Sequence, residues 1–381
     1  MDNGGTTPKS LPVRFVGSGS EYFRIWIVNL LLTLVTIGLY YPFAKVRRLR
    51  YLHGATEIGS HAMSFHADPW KMLRGYLLVA AMAGAYSGAN YFSPTAGLVA
   101  LLIVGAVWPA LWHSSMRFRL ANTGWRGLRF RFTGSRGGAY AVMLSWVLIV
   151  FVFAALGALL APERGSKPGL GDVLAGLLPL IVVGFVPALL WWVRRYQHDH
   201  YALGGEASRF SAGVGSFYGV FALAALMFLG IIAVIGVAAA FLVPALFGGG
   251  KAGGGLGAGL VIAGVLGVLL YLAVLILVGA FVGARLQNLV WNGTRSQHIA
   301  FDSRLTMRSL AGLTMKNWLL IVLTVGLYYP FATVAMARLR LQAVQVVFAV
   351  DPDTLVAVAS QIDESAAGDA AGDLFGFDIG L

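Results

Sequence analysis

The chain has 381 residues, of which 58% are hydrophobic and 12% are charged, and its formal net charge is +12. Soluble domains carry about 25% charged residues, so this composition excludes an ordinary soluble protein and predicts a membrane protein. The sequence contains no cysteine, which excludes disulfides, thiolate metal sites and cysteine nucleophiles.

Apolar runs that approach or exceed the length needed to cross a bilayer follow one another along the chain. We predict an all-α polytopic transmembrane bundle over residues 22–350, preceded by a cytoplasmic segment at residues 1–21 and followed by a disordered acidic tail at residues 351–381. The apolar runs lie at residues 22–44, 72–92, 96–116, 138–160, 172–193, 215–247, 256–283 and 309–332.

The connections between these runs are of two kinds, one rich in arginine and one poor in it. The positive-inside rule places the arginine-rich links in the cytoplasm, where we expect them to form a basic face against anionic lipid headgroups. Because these arginines are dispersed among membrane segments, we expect no nucleic-acid partner. The residues that represent this basic face are Arg47, Arg48, Arg119, Arg195, Arg285 and Arg338.

The arginine-rich links resemble one another. Each leaves a helix through arginine, passes polar residues, and reaches a short run that contains phenylalanine. Alternation of side-chain type at residues 128–132 (LRFRF) and 344–348 (VQVVF) predicts short strand-like segments. The sequence therefore predicts a repeated unit, a helical hairpin followed by a strand-like cytoplasmic link.

The first and last apolar runs are copies of one segment. Residues 29–44 read NLLLTLVTIGLYYPFA and residues 317–332 read NWLLIVLTVGLYYPFA, identical at 11 of 16 positions. Each copy contains one asparagine, a glycine that weakens the helix and a proline that removes a backbone donor. These candidate residues are the polar pair Asn29 and Asn317, and the helix breaks Gly38, Pro42, Gly326 and Pro330.

Two topologies remain open for the copied segments. If the basic residues on both sides of a copy are cytoplasmic, the segment enters the membrane and returns, which is the arrangement that we favour. With a single crossing, the copies would form an inverted pair of the kind found in transporters. Asn29 and Asn317 would then be either structural hydrogen-bonding groups, the favoured interpretation, or part of a substrate or ion site.

The chain also resembles a known family. The sequences FVG at residues 15–17, EYF at 21–23 and NLLLTLVTIGLYYPFAKVR at 29–47 are similar to those of the YjgN family of bacterial inner-membrane proteins. This resemblance implies a multi-pass protein of the bacterial inner membrane. It implies no chemistry, because the family has no established activity.

The remaining polar residues give little indication of catalysis. All seven histidines lie in or beside the predicted links without the fixed spacing of a metal site, so we expect no metal and no cofactor. No acidic residue lies well inside an apolar run, which argues against proton coupling. Paired glycines four residues apart allow close helix packing and a homo-oligomer.

We therefore expect a non-enzymatic membrane scaffold or partner-binding protein. The alternative is a transporter or channel with its site between the copied broken segments. The tail contains seven acidic residues and no basic one, interspersed with apolar side chains, so it is also a candidate docking peptide for a protein partner.

Overall fold

The computed structural model describes residues 8–160, 169–247 and 256–358. Within these residues the chain forms ten α-helices of at least 14 residues, besides a short helical stretch at the end of the described chain. The helices are α1 (Gly19–Val35), α2 (Tyr41–Gly54), α3 (Pro69–Phe92), α4 (Pro94–Ala121), α5 (Arg136–Leu160), α6 (Leu170–His198), α7 (Val214–Phe247), α8 (Leu256–Asn292), α9 (Met307–Leu323) and α10 (Tyr329–Gln342).

Short polar residues determine where the first helix of each copied segment begins. The Ser18 hydroxyl accepts a hydrogen bond from the Glu21 N–H, and the Thr306 hydroxyl accepts one from the Ser309 N–H. Each hydroxyl satisfies a backbone donor that has no partner inside the helix. The same cap therefore starts α1 and α9.

The strand-like links predicted from the sequence form one antiparallel sheet. In the described part of the chain it has eleven strands, arranged in the order β7-β6-β5-β4-β3-β2-β1-β11-β10-β9-β8. The strands are β1 (Lys9–Phe15), β2 (Thr56–Ile58), β3 (His61–Phe65), β4 (Thr123–Trp125), β5 (Leu128–Phe132), β6 (Tyr201–Leu203), β7 (Glu206–Ala207), β8 (Arg209–Phe210), β9 (Thr294–Arg295), β10 (Ile299–Ser303) and β11 (Val344–Phe348).

This sheet curves into a nearly closed ring. Its two edge strands, β7 and β8, are separated in sequence by Ser208 alone, so the edges meet at a seam. At the opposite side β1 pairs with β11, which brings the first and last strands together; the Ser10 hydroxyl donates to Gln345 Oε1 at 2.9 Å. The all-α class was therefore too narrow, because strands from distant links pair only when the chain is folded.

Apolar side chains fill the ring. Trp125 stacks on Phe348 with ring centroids 5.9 Å apart, and Val13, Val344 and Val346 pack around them. These residues come from strands on different sides of the ring, so their contacts hold its walls together. The ring is a packed core, with a small cavity of about 60 Å³ beside it.

The start of the C-terminal tail contacts this ring. Residues 352–358 are helical, and Leu355 and Val356 pack against the apolar core. Asp351 pairs with Lys9 at 3.6 Å, and Asp353 pairs with Arg126. The predicted disorder and docking role of the tail concern mainly residues 359–381, which lie outside the described residues.

The helices pack in a closed order around the ring. Neighbours in sequence pack against each other from α1 to α10, and α10 packs against α1. By length and composition, α4, α5, α6, α7 and α8 each contain a segment able to cross a membrane. Most of their apolar side chains are exposed, as expected for surfaces that face lipid.

Candidate functional site

The same backbone hydrogen bond closes the base of each described helix pair. A residue just before the first helix donates its N–H to the carbonyl of a residue just after the second. Both ends of a pair therefore meet at the sheet. The bonds are Val16 to Ala55 (2.8 Å), His66 to Asn122 (2.8 Å), Thr133 to His200 (2.9 Å), Ser211 to Gly293 (2.8 Å) and Arg304 to Ala343 (2.8 Å).

A second contact recurs beside each of these bonds. A side chain on the second helix of one pair donates to a backbone carbonyl just before the first helix of the next pair. From the last pair, the donor reaches the carbonyl just before the first pair. Different side chains perform this role, so the sequence pattern did not reveal it. In the described residues the donors are Arg50 to Ala67 (3.3 Å), His113 to Gly134 (2.7 Å), Trp191 to Ala212 (2.8 Å), Asn288 to Leu305 (2.9 Å) and Arg338 to Gly17 (2.8 Å).

The copied segments turn back on themselves at a left-handed break. Ile37 and Gly38 have φ angles of 50° and 88°, and Val325 and Gly326 have φ angles of 49° and 90°. Glycine adopts this conformation without cost, but a β-branched residue does so only with strain. Each copy thus forms a hairpin of two helices, α1–α2 in the first copy and α9–α10 in the second. We call these two the short hairpins.

The two prolines of the copies lie just beyond this break. Pro42 and Pro330 occupy the first turn of α2 and α10, where a missing N–H costs no helical hydrogen bond. Both are buried. Proline therefore starts the returning helix, while the glycine with its β-branched neighbour makes the turn.

The tips of the short hairpins expose apolar side chains. Ile37 is 94% exposed and Val325 is 92% exposed, although both occupy a strained conformation. By contrast, the left-handed residue in the turn between β4 and β5 is Arg126, which is polar. An isoleucine or valine side chain exposed to water at such a position gains no stabilisation, whereas the same side chain in hydrocarbon does.

The helices of the short hairpins are shorter than α3 and α8, the helices beside them in the chain. At 1.5 Å per residue, the 17 residues of α1 span about 25 Å and the 14 of α2 about 21 Å. Lys45 lies four residues into α2, and Lys316 lies seven residues before the end of α9. Each tip is therefore about 10 Å beyond a cation, a distance that fits within the roughly 15 Å of hydrocarbon in one leaflet.

The short hairpins lie side by side through α1 and α10. The Phe23 and Phe331 rings are 5.7 Å apart, and the Trp26 and Tyr329 rings are 6.3 Å apart. A Cβ on Gly19 would approach Phe331 to 2.5 Å, so this contact requires glycine there.

The polar pair predicted from the sequence is buried, at 7% exposure for Asn29 and 5% for Asn317. The Asn317 amide donates to Ala332 O at 3.4 Å, inside its own hairpin. The Oδ1 atoms of both asparagines are buried without a partner in the described residues. The Asn317 amide thus contacts its own copy, and each asparagine keeps an unsatisfied buried acceptor.

The residues chosen for the basic face lie on helices that lead back to the sheet. Arg47 and Arg48 are on α2, and Arg119 lies in the last turn of α4. Arg195 pairs with Asp199 at 3.4 Å, and Arg285 lies over Phe281. Arg338 is one of the recurrent donors described above. All are therefore on the sheet side of the molecule.

The seam of the ring is joined by a side chain that the sequence analysis did not select. Glu206 on β7 accepts hydrogen bonds from the Ser296 hydroxyl (2.6 Å), the His298 N–H (3.2 Å) and His298 Nδ1 (2.6 Å). Burial raises the pKa of Glu206, but these donors outweigh it, so the pKa lies below its ordinary value. The carboxylate is thus held charged across the seam.

The histidines have separate partners. His113 donates to Gly134 O, His198 contacts the Thr294 hydroxyl, and His298 contacts Glu206. Over the described ranges, no group of three or more histidine, cysteine or acidic side chains is placed to hold a metal ion. These contacts organise the links between helices and strands.

The family profile described as "bacterial protein of unknown function (DUF898)" matches residues 10–374. The chain is 26% identical over 182 residues to an inner membrane protein YjgN of Salmonella typhimurium, covering 46% of each protein. It is 24% identical over 181 residues to inner membrane protein YjgN of Escherichia coli, covering 45% of this chain and 44% of that protein. The matched region thus spans less than half the length of these relatives. No solved structure matches the chain.

Proposed function

This chain belongs to the DUF898 family of bacterial proteins, and we propose that it acts as a non-enzymatic scaffold in the inner membrane. In this proposal, the ring of strands is a rigid cytoplasmic hub that holds helical hairpins in the bilayer. The observation that supports it best is the pair of short hairpins, which lie side by side and expose apolar side chains at their tips.

We infer that the hub is built from repeats of one helical hairpin and one link. The recurrent hydrogen bond at the base of each pair supports this, together with the recurrent donor to the link carbonyl. In one of these repeats the link would consist of β11 and β1, the last and first strands. Such repeats would make the hub stiff, because every pair is attached at the same two points.

The short hairpins would insert into the cytoplasmic leaflet alone. Lys45 and Lys316 would remain near the headgroups, while Ile37 and Val325 reach the acyl chains. The neighbouring long helices would cross both leaflets, so the opposite leaflet beside the short hairpins would be left without protein. A bilayer thins to match a short apolar segment, so the scaffold would deform the membrane locally.

The depth of the tips tests this function. We would introduce Cys at Ile37 or Val325 into this cysteine-free chain, attach a fluorophore, and quench it with lipids brominated at different positions along the acyl chain. Maximal quenching is expected from bromine near the bilayer centre. One control is Cys at Val99, within the apolar part of α4. The other is Cys at Arg126, in the turn between β4 and β5, and the label there should not be quenched.

Two results would contradict the proposal. Quenching of the Ile37 label by aqueous iodide from the cytoplasmic side would place the tip in water. Reaction of Cys at Ile37 with an impermeant thiol reagent from the periplasmic side would mean that the segment crosses completely.

A transporter remains the second candidate, because Asn29 and Asn317 leave buried acceptor atoms unsatisfied. An unsatisfied acceptor in a dry site is costly, and a passing ion or polar solute would satisfy it. This candidate expects Asn317→Leu to abolish solute flux in proteoliposomes without loss of stability. Failure to find a flux that depends on either asparagine would leave the scaffold as the better explanation.

A further inference from the structure

Two arginines face each other at the seam of the ring. Arg209 on β8 and Arg295 on β9 are directly opposite in the strand register, and both side chains are exposed. Residues opposite each other in an antiparallel pair point to the same face, and like charges placed there are destabilising. Among the described residues no carboxylate forms an ion pair with either guanidinium. The repulsion between Arg209 and Arg295 is therefore not neutralised by any carboxylate among the described residues.

These arginines line a cavity. Its volume is about 650 Å³, and its walls come from the seam: Gly205, Glu206, Ala207, Arg209, Phe210, Ser211, Arg295, Ser296 and Gln297. Its acidic lining residue, Glu206, is already engaged by Ser296 and His298 across the seam. The cavity is thus lined by Arg209, Arg295 and Gln297, and its carboxylate is hydrogen-bonded to other donors.

We propose that this cavity binds a phosphate group, held between the side chains of Arg209 and Arg295. Guanidinium groups donate paired hydrogen bonds that match phosphate oxygens, and their two positive charges outnumber the single carboxylate of the cavity. The ligand would remove the repulsion between the arginines and fasten β8 to β9 beside the seam. The site is independent of the short hairpins and of the proposed scaffold role.

The phosphate has two possible sources, a soluble phosphate compound and a lipid headgroup. Phe210, the residue after Arg209, packs against Phe217 of α7 and Val290 of α8, so the cavity lies close to the helices. Its position is therefore within reach of a headgroup as well as open to the solvent. The chemistry at the arginines is the same for both sources, so the experiment must separate them.

We would measure thermal unfolding of the full chain in nanodiscs of phosphatidylcholine, with and without inorganic phosphate, and in nanodiscs containing phosphatidic acid. Phosphate is expected to raise the midpoint by about 2–4 °C. A rise with inorganic phosphate indicates a soluble ligand. A rise with phosphatidic acid alone indicates a headgroup. No rise in either condition overturns the proposal.

Arg295→Gln and Arg209→Gln should each abolish the rise. Without phosphate, each should leave the midpoint unchanged or raise it, because one of two repelling charges is gone. The matched control is Arg14→Gln, an exposed arginine on β1 that faces Glu57 instead of a second arginine, and it should retain the rise. A midpoint lowered by Arg295→Gln without phosphate, or a rise that survives it, would show that the pair is not a phosphate site.

Discussion

Replacing Ile37, at the strained tip of the first short hairpin, changes the stability of the protein. The sign of that change depends on whether the tip lies in water or in hydrocarbon. Ile37→Gly removes a side chain that is 94% exposed from a residue at φ 50°. Relief of the left-handed strain stabilises the protein by about 1–2 kcal/mol. The greater freedom of glycine in the unfolded chain costs about 0.5–1 kcal/mol.

The remaining contribution is the transfer of the isoleucine side chain. If the tip lies in hydrocarbon, losing that transfer costs about 1.5–3 kcal/mol. The three contributions together then make Ile37→Gly about 1–2 kcal/mol less stable than the parent. If the tip lies in water, the transfer contributes nothing and the variant is about 0.5–1 kcal/mol more stable. We expect the first result.

The assay is unfolding in lipid bicelles by titration with urea, which leaves the unfolded tip in water, followed by tryptophan fluorescence. Ile37→Ala is the matched control, because alanine loses apolar surface but keeps the Cβ that causes the strain. It should destabilise the protein in bicelles, and Val325→Gly should reproduce the effect of Ile37→Gly in the second copy. A more stable Ile37→Gly variant beside an unchanged Ile37→Ala variant would refute the membrane insertion of the tip.

Three further predictions concern the ring and the helix order. Glu206→Gln should lower the free energy of unfolding by about 1.5–3 kcal/mol through its hydrogen bonds to His298 and the neighbouring donors. Folding lowers the pKa of Glu206, so its carboxylate stabilises the protein above the unfolded pKa of about 4.3. This stabilisation is lost as the pH falls through the folded pKa. Thermal unfolding between acid and neutral pH should show no such dependence in Glu206→Gln. Trp125→Ala should cost about 3–5 kcal/mol in denaturant unfolding, because the side chain fills the ring core. Cysteines replacing Trp26 and Tyr329 should form a crosslink with a short reagent, because the two rings are 6.3 Å apart.

Each of these predictions has a clear contrary result. An unchanged acid dependence in Glu206→Gln would mean that another group controls the seam. A small effect of Trp125→Ala would mean that the ring interior is not a tightly packed core. Cysteines that react singly but never crosslink would contradict the contact between α1 and α10.

Local features of the sequence were sufficient for several parts of this architecture. The long apolar runs predicted the helices, because a membrane segment can be recognised from its length and composition alone. The alternation at residues 128–132 and 344–348 predicted β5 and β11, since side chains alternate across any strand. The two copied segments predicted the broken hairpins, because glycine is locally suited to a left-handed turn.

Tertiary structure alone decided how these parts combine. β7, β8 and β9 have two residues each, too few to show a period, and their pairing joins residues far apart in the chain. The donors to the link carbonyls differ in residue type, because a buried carbonyl requires an N–H at the right position and accepts it from arginine, histidine, tryptophan or asparagine alike. The opposition of Arg209 and Arg295 likewise exists only in the register of the folded ring. Composition and periodicity are properties of neighbouring residues, whereas ring closure, shared hydrogen bonds and facing charges depend on distances that folding alone creates.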